Sequence, residues 1–372
     1  MPKGAYVGVN NVARKIKKGY VGVDGVARKI KKAYIGIGGV ARPCWSGGEL
    51  VYYGTATGLS IARYKLAATH VGDYALFGGG ASSSSKLAVD AYSSSLVKST
   101  PDSLKSGYGI TVTSSHIGNY AVFRTGEAIT AYNNSLTKTT KTGLGSRCSM
   151  AASSNGSYIL FTDGELIEFF NSSLTLVSSV NLDAYHMRLS ATHVGNYIIM
   201  AGGFNGEDTI YDVYAFDKSL TQKFPTDLSV ARCRLAATHV GNYALFGGGA
   251  SSYSDNSDNG VPHSTVDAYN ASLTKTTPST LSKARYGLAA THVGDYALFG
   301  GGTDAGAYED YNMYDTVDAY NTSLTKTTPS TLSKARNNLA ATHVGNYALF
   351  GGGMDEQYAG SSMSTVDVYV II

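Results

Sequence analysis

Six histidines recur at one position of a repeated segment, and their type and spacing are the first indication of chemistry in this sequence. The segment reads THVG or SHIG, and its histidines are His70, His116, His193, His239, His292 and His343. A zinc site requires imidazole nitrogens that converge on one point. Each histidine instead precedes the same tight turn of a different repeat, so the spacing predicts a ring around one face. We expect structural or hydrogen-bonding histidines and no metal site.

Arginines recur at the start of the same repeats and allow two interpretations. They are Arg63, Arg147, Arg232, Arg285 and Arg336. Capping of loop carbonyls is the favoured role, while an anionic ligand site that includes Arg285 and Arg336 stays open.

Other motifs for catalysis or metal binding are weak. The segment DNSDNG, 255–260, resembles the start of a calcium loop, but Val266 stands where that loop needs Glu. Paired catalytic carboxylates, a nucleophile elbow and a phosphate-binding loop are not recognisable in the sequence. We therefore predict a protein that is not an enzyme, with no catalytic residues and no cofactor.

The histidine segment belongs to a longer repeat with seven copies, if the degenerate copy MAASSNGSYILFTDG is included with Ser154 at the histidine position. Successive copies are 46, 38, 39, 46, 53 and 51 residues apart. Each reads as a strand (LAATHV), a Gly-Asn or Gly-Asp turn, a strand (YALFGGG), a variable stretch, a third strand (TVDAYN) and a fourth (LTKTT). Four strands per repeat describe one propeller blade. The predicted fold class is all-β: a seven-bladed β-propeller over residues 46–372, preceded by a short β-hairpin meander.

The two ends of the propeller region complement each other. The last repeat stops after its third strand, TVDVYVII, and the segment VYYGTATGLSIAR, 51–63, aligns with LTKTTPSTLSKAR, 324–336. The beginning of the region is therefore predicted to supply the fourth strand of the last blade, which removes a free sheet edge.

The repeat resembles the kelch family of propellers. Kelch units carry an Arg before the first strand, a glycine doublet at the end of the second and a Tyr in the third. One unit here has Arg285, Gly300–Gly302 and Tyr320, and another has Arg336, Gly351–Gly353 and Tyr369. The sequence departs from the family by having TKTT in the fourth strand, where a tryptophan is expected. The resemblance covers residues 49–372 and implies a kelch-like propeller, but a fold of this kind does not specify a function.

The variable stretch between the second and third strands is the candidate binding region. Its long versions follow Gly249, Gly302 and Gly353, and they are rich in Tyr, Asp, Asn, Ser and Gly. This composition is typical of antibody combining sites. The predicted anchors for a ligand are Tyr253, Tyr308, Tyr311, Tyr314 and Tyr358, with Arg285 and Arg336 at the inner edge. A solvated loop without a binding role is an equally open alternative.

Residues 1–45 repeat with a different period and carry a different net charge. Ten Lys and Arg against Asp24 give this segment a net charge of +9, which leaves −6 for the rest of the chain. Tyr6, Tyr20 and Tyr34 recur every 14 residues between hairpin turns, and the lysine pairs Lys17–Lys18 and Lys31–Lys32 separate the hairpins. The lysines have no accompanying aromatic stripe, so solvated turns or docking on an acidic protein are favoured over nucleic acid.

The short YVGV-DG-VARKIKK repeats resemble those at the start of tail and other structural proteins of tailed bacteriophages, particularly phages of Gram-positive hosts. The resemblance implies a virion component, made in the host cytoplasm, in which residues 1–45 dock on other virion proteins. The propeller would then face outward to bind a host cell-surface glycan or protein, in several copies or as a homo-oligomer. An intracellular kelch-type adaptor is the alternative, followed by a propeller glycosidase or oxidase.

The composition agrees with an all-β protein. Only 15% of the residues are charged, and the chain has 44 Gly and 28 Tyr. No apolar run is long enough to cross a bilayer, and the start MPKGAYVGV has no apolar signal region. The three cysteines, Cys44, Cys148 and Cys233, do not make a disulfide framework. We therefore expect synthesis without a signal peptide and no membrane insertion.

Overall fold

The structure, a computed structural model, is built from β-strands throughout the residues that it describes. It describes residues 48–372 except 82–86, 107–111, 145–150, 184, 252–259, 305–311 and 356–361, together with the backbone of six strands between residues 6 and 45. The described residues contain no helix that is long and apolar enough to span a membrane.

The six strands near the N-terminus pair into three hairpins. They are β1 (Tyr6–Val9), β2 (Val12–Lys15), β3 (Gly19–Val23), β4 (Val26–Ile30), β5 (Ala33–Ile37) and β6 (Val40–Trp45). Each hairpin is a two-stranded antiparallel sheet of its own: β1 with β2, β3 with β4, and β5 with β6. Tyr6, Tyr20 and Tyr34 lie on the first strand of successive hairpins. The lysine pairs at 17–18 and 31–32 lie outside the described residues.

Seven four-stranded antiparallel sheets form the seven blades of a propeller. The strand β7 (Leu50–Ala56) comes first in the chain, and blade 1 follows with β8 (Ala67–Val71), β9 (Tyr74–Gly78), β10 (Val89–Ser93) and β11 (Lys98–Ser99). Blade 2 contains β12 (Thr113–Ile117), β13 (Tyr120–Thr125), β14 (Ala128–Asn133) and β15 (Lys138–Lys141). Blade 3 contains β16 (Ala151–Ser154), β17 (Ile159–Thr162), β18 (Leu166–Phe170) and β19 (Leu176–Asn181).

The later blades repeat this plan. Blade 4 contains β20 (Ser190–Val194), β21 (Tyr197–Phe204), β22 (Thr209–Phe216) and β23 (Gln222–Lys223). Blade 5 contains β24 (Ala236–Val240) and β25 (Tyr243–Gly247), a loop hairpin of β26 (Ala250–Ser251) and β27 (Val261–Pro262), then β28 (Val266–Asn270) and β29 (Lys275–Thr276). Blade 6 contains β30 (Ala289–Val293), β31 (Tyr296–Gly300), β32 (Val317–Asn321) and β33 (Lys326–Thr327). Blade 7 contains β34 (Ala340–Val344), β35 (Tyr347–Gly351) and β36 (Val366–Ile371), and its fourth strand is β7.

The predicted closure of the ring is confirmed. The sheet of blade 7 has the order β34-β35-β36-β7, so a strand from the start of the region pairs with the last strand of the chain. The innermost strands also contact one another in a closed cycle, from β8 through β12, β16, β20, β24, β30 and β34 back to β8. This arrangement leaves no open gap in the circle of blades.

Hydrophobic contacts between neighbouring blades make up the core, and the glycines of the repeat permit those contacts. Phe350 of blade 7 is fully buried and clusters with Leu298 and Val317 of blade 6. A Cβ atom on Gly300 would lie 2.7 Å from the ring of Phe350, which is too close for any side chain. The next residue, Gly301, has a φ of +70°, a conformation that favours glycine. The glycine run at the end of the second strand is therefore required by packing between blades.

Candidate functional site

The two faces of the propeller differ in sequence and in shape. The lower face, as we define it, carries the turns between the first and second strands and between the third and fourth. The upper face carries the loops between the second and third strands and the connections from one blade to the next. The lower turns are nearly uniform, as in Asn270 and Asn321, whose Oδ1 atoms each accept two backbone N–H groups. Variation is concentrated on the upper face.

The recurring arginines lie inside the blades. Each pairs with the Asp of the third strand: Arg63 with Asp90, Arg232 with Asp267, Arg285 with Asp318, and Arg336 with Asp367, at N–O distances of 2.7, 2.9, 2.9 and 2.8 Å. All eight side chains are 0% exposed. Arg285 Nη2 also donates to the carbonyl of Phe299, at 3.2 Å. Burial in these ion pairs keeps Arg285 and Arg336 away from the surface of the loops; the fifth arginine of the set, at 147, lies outside the described residues.

Blade 4 has a different polar cluster at the position of the buried ion pair. His186 stands at the arginine position, two residues before Arg188, and is 1% exposed. Its Nε2 lies 3.3 Å from Asp212 Oδ2 and 3.3 Å from the hydroxyl of Tyr214. A buried histidine with two polar partners therefore takes the place of the ion pair.

The six repeated histidines form the predicted ring, at the lower end of the central channel. Neighbouring ring centroids are 4.2 Å apart for His70–His116, 4.1 Å for His70–His343, 4.1 Å for His292–His343, 3.9 Å for His239–His292 and 4.0 Å for His193–His239. Ser154 of blade 3 lines the same channel between His116 and His193. The channel here has a volume of about 130 Å³. Within the described residues, no group of three or more His, Cys, Asp or Glu side chains is placed to hold a metal ion.

The histidine ring is held in the neutral state. Burial, with repulsion from neighbouring imidazoles, lowers the pKa of His70 to about 2 and that of His239 to about 3. The same causes lower the pKa of His193 and of His343 to about 4. The pKa values of His116 and His292 are also lowered, chiefly by burial. The ring therefore lines the channel with uncharged polar groups at neutral pH.

The upper end of the channel opens into a larger cavity, the upper pocket, of about 500 Å³. Three basic residues from three blades line it: Lys65, Arg188 and Arg234. Tyr64, Tyr286, Asn337, Asn338 and Met354 also contribute to its wall. None of the described residues that line it is acidic. The size is that of a pocket for a small ligand or a sugar residue.

A series of backbone hydrogen bonds across five neighbouring blades connects these basic residues. Lys65, Arg188 and Arg234 have φ angles of 52°, 58° and 55°, and Gly287 and Asn338 have 63° and 49° at the corresponding positions. The N–H of Arg234 donates to the carbonyl of Arg188 at 3.0 Å, that of Asn338 to Gly287 at 2.9 Å, and that of Lys65 to Asn338 at 2.8 Å. One residue of each of these blades is thus fixed at the channel mouth in the same backbone conformation.

The sequence interpretation missed these basic residues, although a signal was present. Each precedes the invariant part of the first strand, in ARYKLAATH, HMRLSATH and ARCRLAATH. Blades 6 and 7 have Gly and Asn at this position, in ARYGLAATH and ARNNLAATH. A position that varies within an otherwise repeated segment indicates a residue that the scaffold does not require.

The predicted tyrosine anchors are only partly described. Tyr314 is half-buried, its hydroxyl donates to Asp304, and its N–H donates to the carbonyl of Gly302 at 2.9 Å. Burial and the hydrogen bond to Asp304 raise the pKa of Tyr314 to about 12. This tyrosine therefore closes the base of the loop in blade 6. The other four, Tyr253, Tyr308, Tyr311 and Tyr358, lie outside the described residues.

Comparison with known proteins identifies the fold only. No protein-family model matches the sequence, and no curated protein matches it. Among solved structures, 731 chains match. One of them, titled "Structure of YjhT", is a propeller protein that aligns with 84% of this chain and 96% of its own, with a TM-score of 0.55 and 11% sequence identity. At this identity the likeness supports the β-propeller and does not extend to function.

Proposed function

We propose that this chain is a structural protein of a bacteriophage virion, with residues 1–45 docked on other virion proteins and the propeller displayed for adhesion to a host-surface glycan or protein. The proposal makes the propeller a binding module rather than an enzyme. It places the protein on the tail, the baseplate or the capsid, in several copies.

The observation that carries the adhesion role is the uneven upper face. Blades 5, 6 and 7 are neighbours, and each has a long loop between its second and third strands. In blade 2 the same connection is a tight turn in which Thr125 pairs with Ala128, and in blade 3 it spans only 163–165. A rigid ring with long loops on one sector and an open pocket beside them is suited to recognition of another surface.

The docking role rests on the contrast between the two regions of the sequence. The first 45 residues repeat every 14 residues and carry a charge of +9, whereas the rest of the chain carries −6. The described strands of this segment pair as separate hairpins, and such short hairpins need a partner surface to be stable. An acidic surface on another virion protein would complement their charge.

The experiment compares particles assembled with the full chain and with a chain that starts at Ser46. Mass spectrometry of purified particles from the phage-producing strain should detect the full chain and should not detect the shortened one. A matched variant with the loop residues 305–311 replaced by a Gly-Ser linker should be incorporated normally. Incorporation of the shortened chain at normal occupancy, or absence of the full chain from particles, would contradict the docking proposal.

A further inference from the structure

We propose that the upper pocket binds a negatively charged group, the phosphate or carboxylate of an anionic glycan. The preference for an anion rests on the pocket itself. The choice of a glycan rests on the proposed adhesion role, and it names the class of ligand that the propeller would recognise.

The first argument is the convergence of positive charge. Lys65 comes from blade 1, Arg188 from blade 4 and Arg234 from blade 5, yet all three line one cavity. The region that contains them, residues 46–372, has a net charge of −6, so this cluster opposes the overall charge of the propeller. Arg and Lys side chains that meet without an acidic residue in the described lining form a site for phosphate or carboxylate.

The second argument is that the cations are positioned before a ligand arrives. The backbone hydrogen bonds around the channel mouth fix the main chain at Arg188, Arg234 and Lys65. The guanidinium of Arg234 also lies over the ring of Tyr286, 5.3 Å from its centroid, and the ammonium of Lys65 lies 5.9 Å from the centroid of Tyr64. Side chains that are already ordered lose less conformational entropy on binding.

The third argument is access. Lys65 is exposed, Arg188 and Arg234 are half-buried, and the cavity of about 500 Å³ opens at the channel mouth on the upper face. The buried arginines of the blades, such as Arg232, have an Asp partner within 2.9 Å and are 0% exposed. The basic residues of the pocket are thus more exposed than those of the scaffold.

The wall of the pocket also provides groups that suit a sugar ring. Asn338 offers an amide beside the charged residues, and Met354, the first residue of the long loop of blade 7, contributes apolar surface. Because Met354 joins the pocket to that loop, a ligand bound in the pocket would contact the base of the loop of blade 7.

The test is a titration of the full chain by isothermal calorimetry with three probes: poly(glycerol phosphate), a galacturonic acid trisaccharide and neutral maltotriose. We expect at least one anionic probe to bind, with an affinity that falls as salt is raised. The decisive variant is Lys65→Asn, Arg188→Asn, Arg234→Asn, because the chain itself has Asn338 at this backbone position. Loss of these charged contacts should weaken binding by about tenfold or more.

A matched control removes three exposed lysines that do not line the pocket, Lys223→Gln, Lys283→Gln and Lys334→Gln, and should bind like the parent. If the triple Asn variant does not fold, the single variant Lys65→Asn, at an exposed side chain, should still weaken binding by about threefold or more. Binding of poly(glycerol phosphate) only would identify phosphate as the anionic group. Binding of the galacturonic acid trisaccharide only would identify carboxylate.

The proposal would be overturned if neither anionic probe bound more tightly than maltotriose, or if the folded Asn variant bound as the parent does. Loss of particle incorporation in the chain that starts at Ser46 would not affect this result, because the pocket lies wholly within residues 64–354. The two proposals can therefore fail separately.

Discussion

The two ends of the central channel are built from the same seven blades, but the residues at one end are uniform and those at the other end vary. At the lower end six of the seven blades present the same residue, histidine, and Ser154 replaces it in the seventh. At the upper end the equivalent residues of five blades are Lys, Arg, Arg, Gly and Asn. The lower end is closely packed, with imidazole centroids about 4 Å apart, whereas the upper end opens into a pocket. Uniform residues therefore mark the part of the ring that packs, and variable residues mark the part that is free to bind.

The same comparison applies to charge. The arginines of the scaffold are buried and paired with aspartates in blades 1, 5, 6 and 7. The basic residues at the channel mouth are exposed or half-buried and occur in only some blades. The following predictions test this division from the largest expected effect on stability to the smallest.

Deletion of residues 46–56 should have the largest effect, because it removes β7 and leaves an open edge on β36. Leu50 and Val51 of this strand are buried, and exposing both would cost about 3–6 kcal/mol. Thermal unfolding followed by circular dichroism would measure the change. Deletion of residues 1–45 is the control and should leave the unfolding temperature of the propeller unchanged. Equal unfolding temperatures for both deletions would contradict the importance of the closure.

Removal of one partner of a buried ion pair should have the second-largest effect on stability. Arg285→Ala leaves the buried carboxylate of Asp318 with only Lys326, at 3.8 Å, as a cationic partner, and this would cost about 3–5 kcal/mol of the free energy of unfolding. The double variant Arg285→Met, Asp318→Asn removes both charges and keeps an acceptor for the backbone N–H of Ser282, so it should lose less. Urea unfolding would compare them. A single variant as stable as the parent would show that the pair does not contribute to stability.

The histidine ring should make the protein sensitive to acid. In the folded state the pKa of His239 is about 3, against 6.5 for an unperturbed histidine. As the pH falls, the unfolded chain takes up a proton on this histidine before the folded chain does. The free energy of unfolding that neutral His239 contributes is therefore fully present above pH 6.5 and is lost as the pH falls toward 3. In this window each unit of falling pH lowers the free energy of unfolding by at most about 1.4 kcal/mol for this one residue.

The variant His239→Ser, which copies the residue of blade 3, should therefore lose less stability than the parent between pH 7 and pH 5. The expected difference is at most about 2 kcal/mol, measured by urea unfolding at both pH values. Thr238→Ser, which alters the same strand without removing a titrating group, should keep the acid sensitivity of the parent. The same loss in all three proteins would show that His239 does not titrate in this way.

Changes in the long loops should have the smallest effect on stability. Tyr308→Ala, Tyr311→Ala and Tyr314→Ala together should lower the free energy of unfolding by about 1 kcal/mol or less, because none of the three lies in a repeated strand and the known loss is the hydrogen bond from the Tyr314 hydroxyl to Asp304. Binding to host cells or to isolated cell-wall glycans should nevertheless be lost, since tyrosines in such loops contribute about 2 kcal/mol or more at a hot spot. Unchanged binding by the folded triple variant would place the binding surface elsewhere.

The sequence by itself determined the architecture. The seven copies of the histidine segment predict seven blades, and the match of residues 51–63 to 324–336 predicts the closure by β7; both are confirmed. These predictions succeed because a blade must present the same alternating strands and the same small residues to its neighbours. The repeated residues are therefore those that packing between blades requires, as in the contact of Gly300 with Phe350.

Only the tertiary structure decided which charged residues are available to a ligand. Arg285 and Arg234 are both arginines near the start of a first strand; the repeat marks Arg285 as part of the scaffold, but the sequence does not show what surrounds Arg234. In the structure Arg285 is enclosed with Asp318, whereas Arg234 lines a pocket with Lys65 and Arg188. The physical reason is that burial and convergence depend on the closed ring, which brings residues of blades 1, 4 and 5 to one channel mouth although they are distant in the chain.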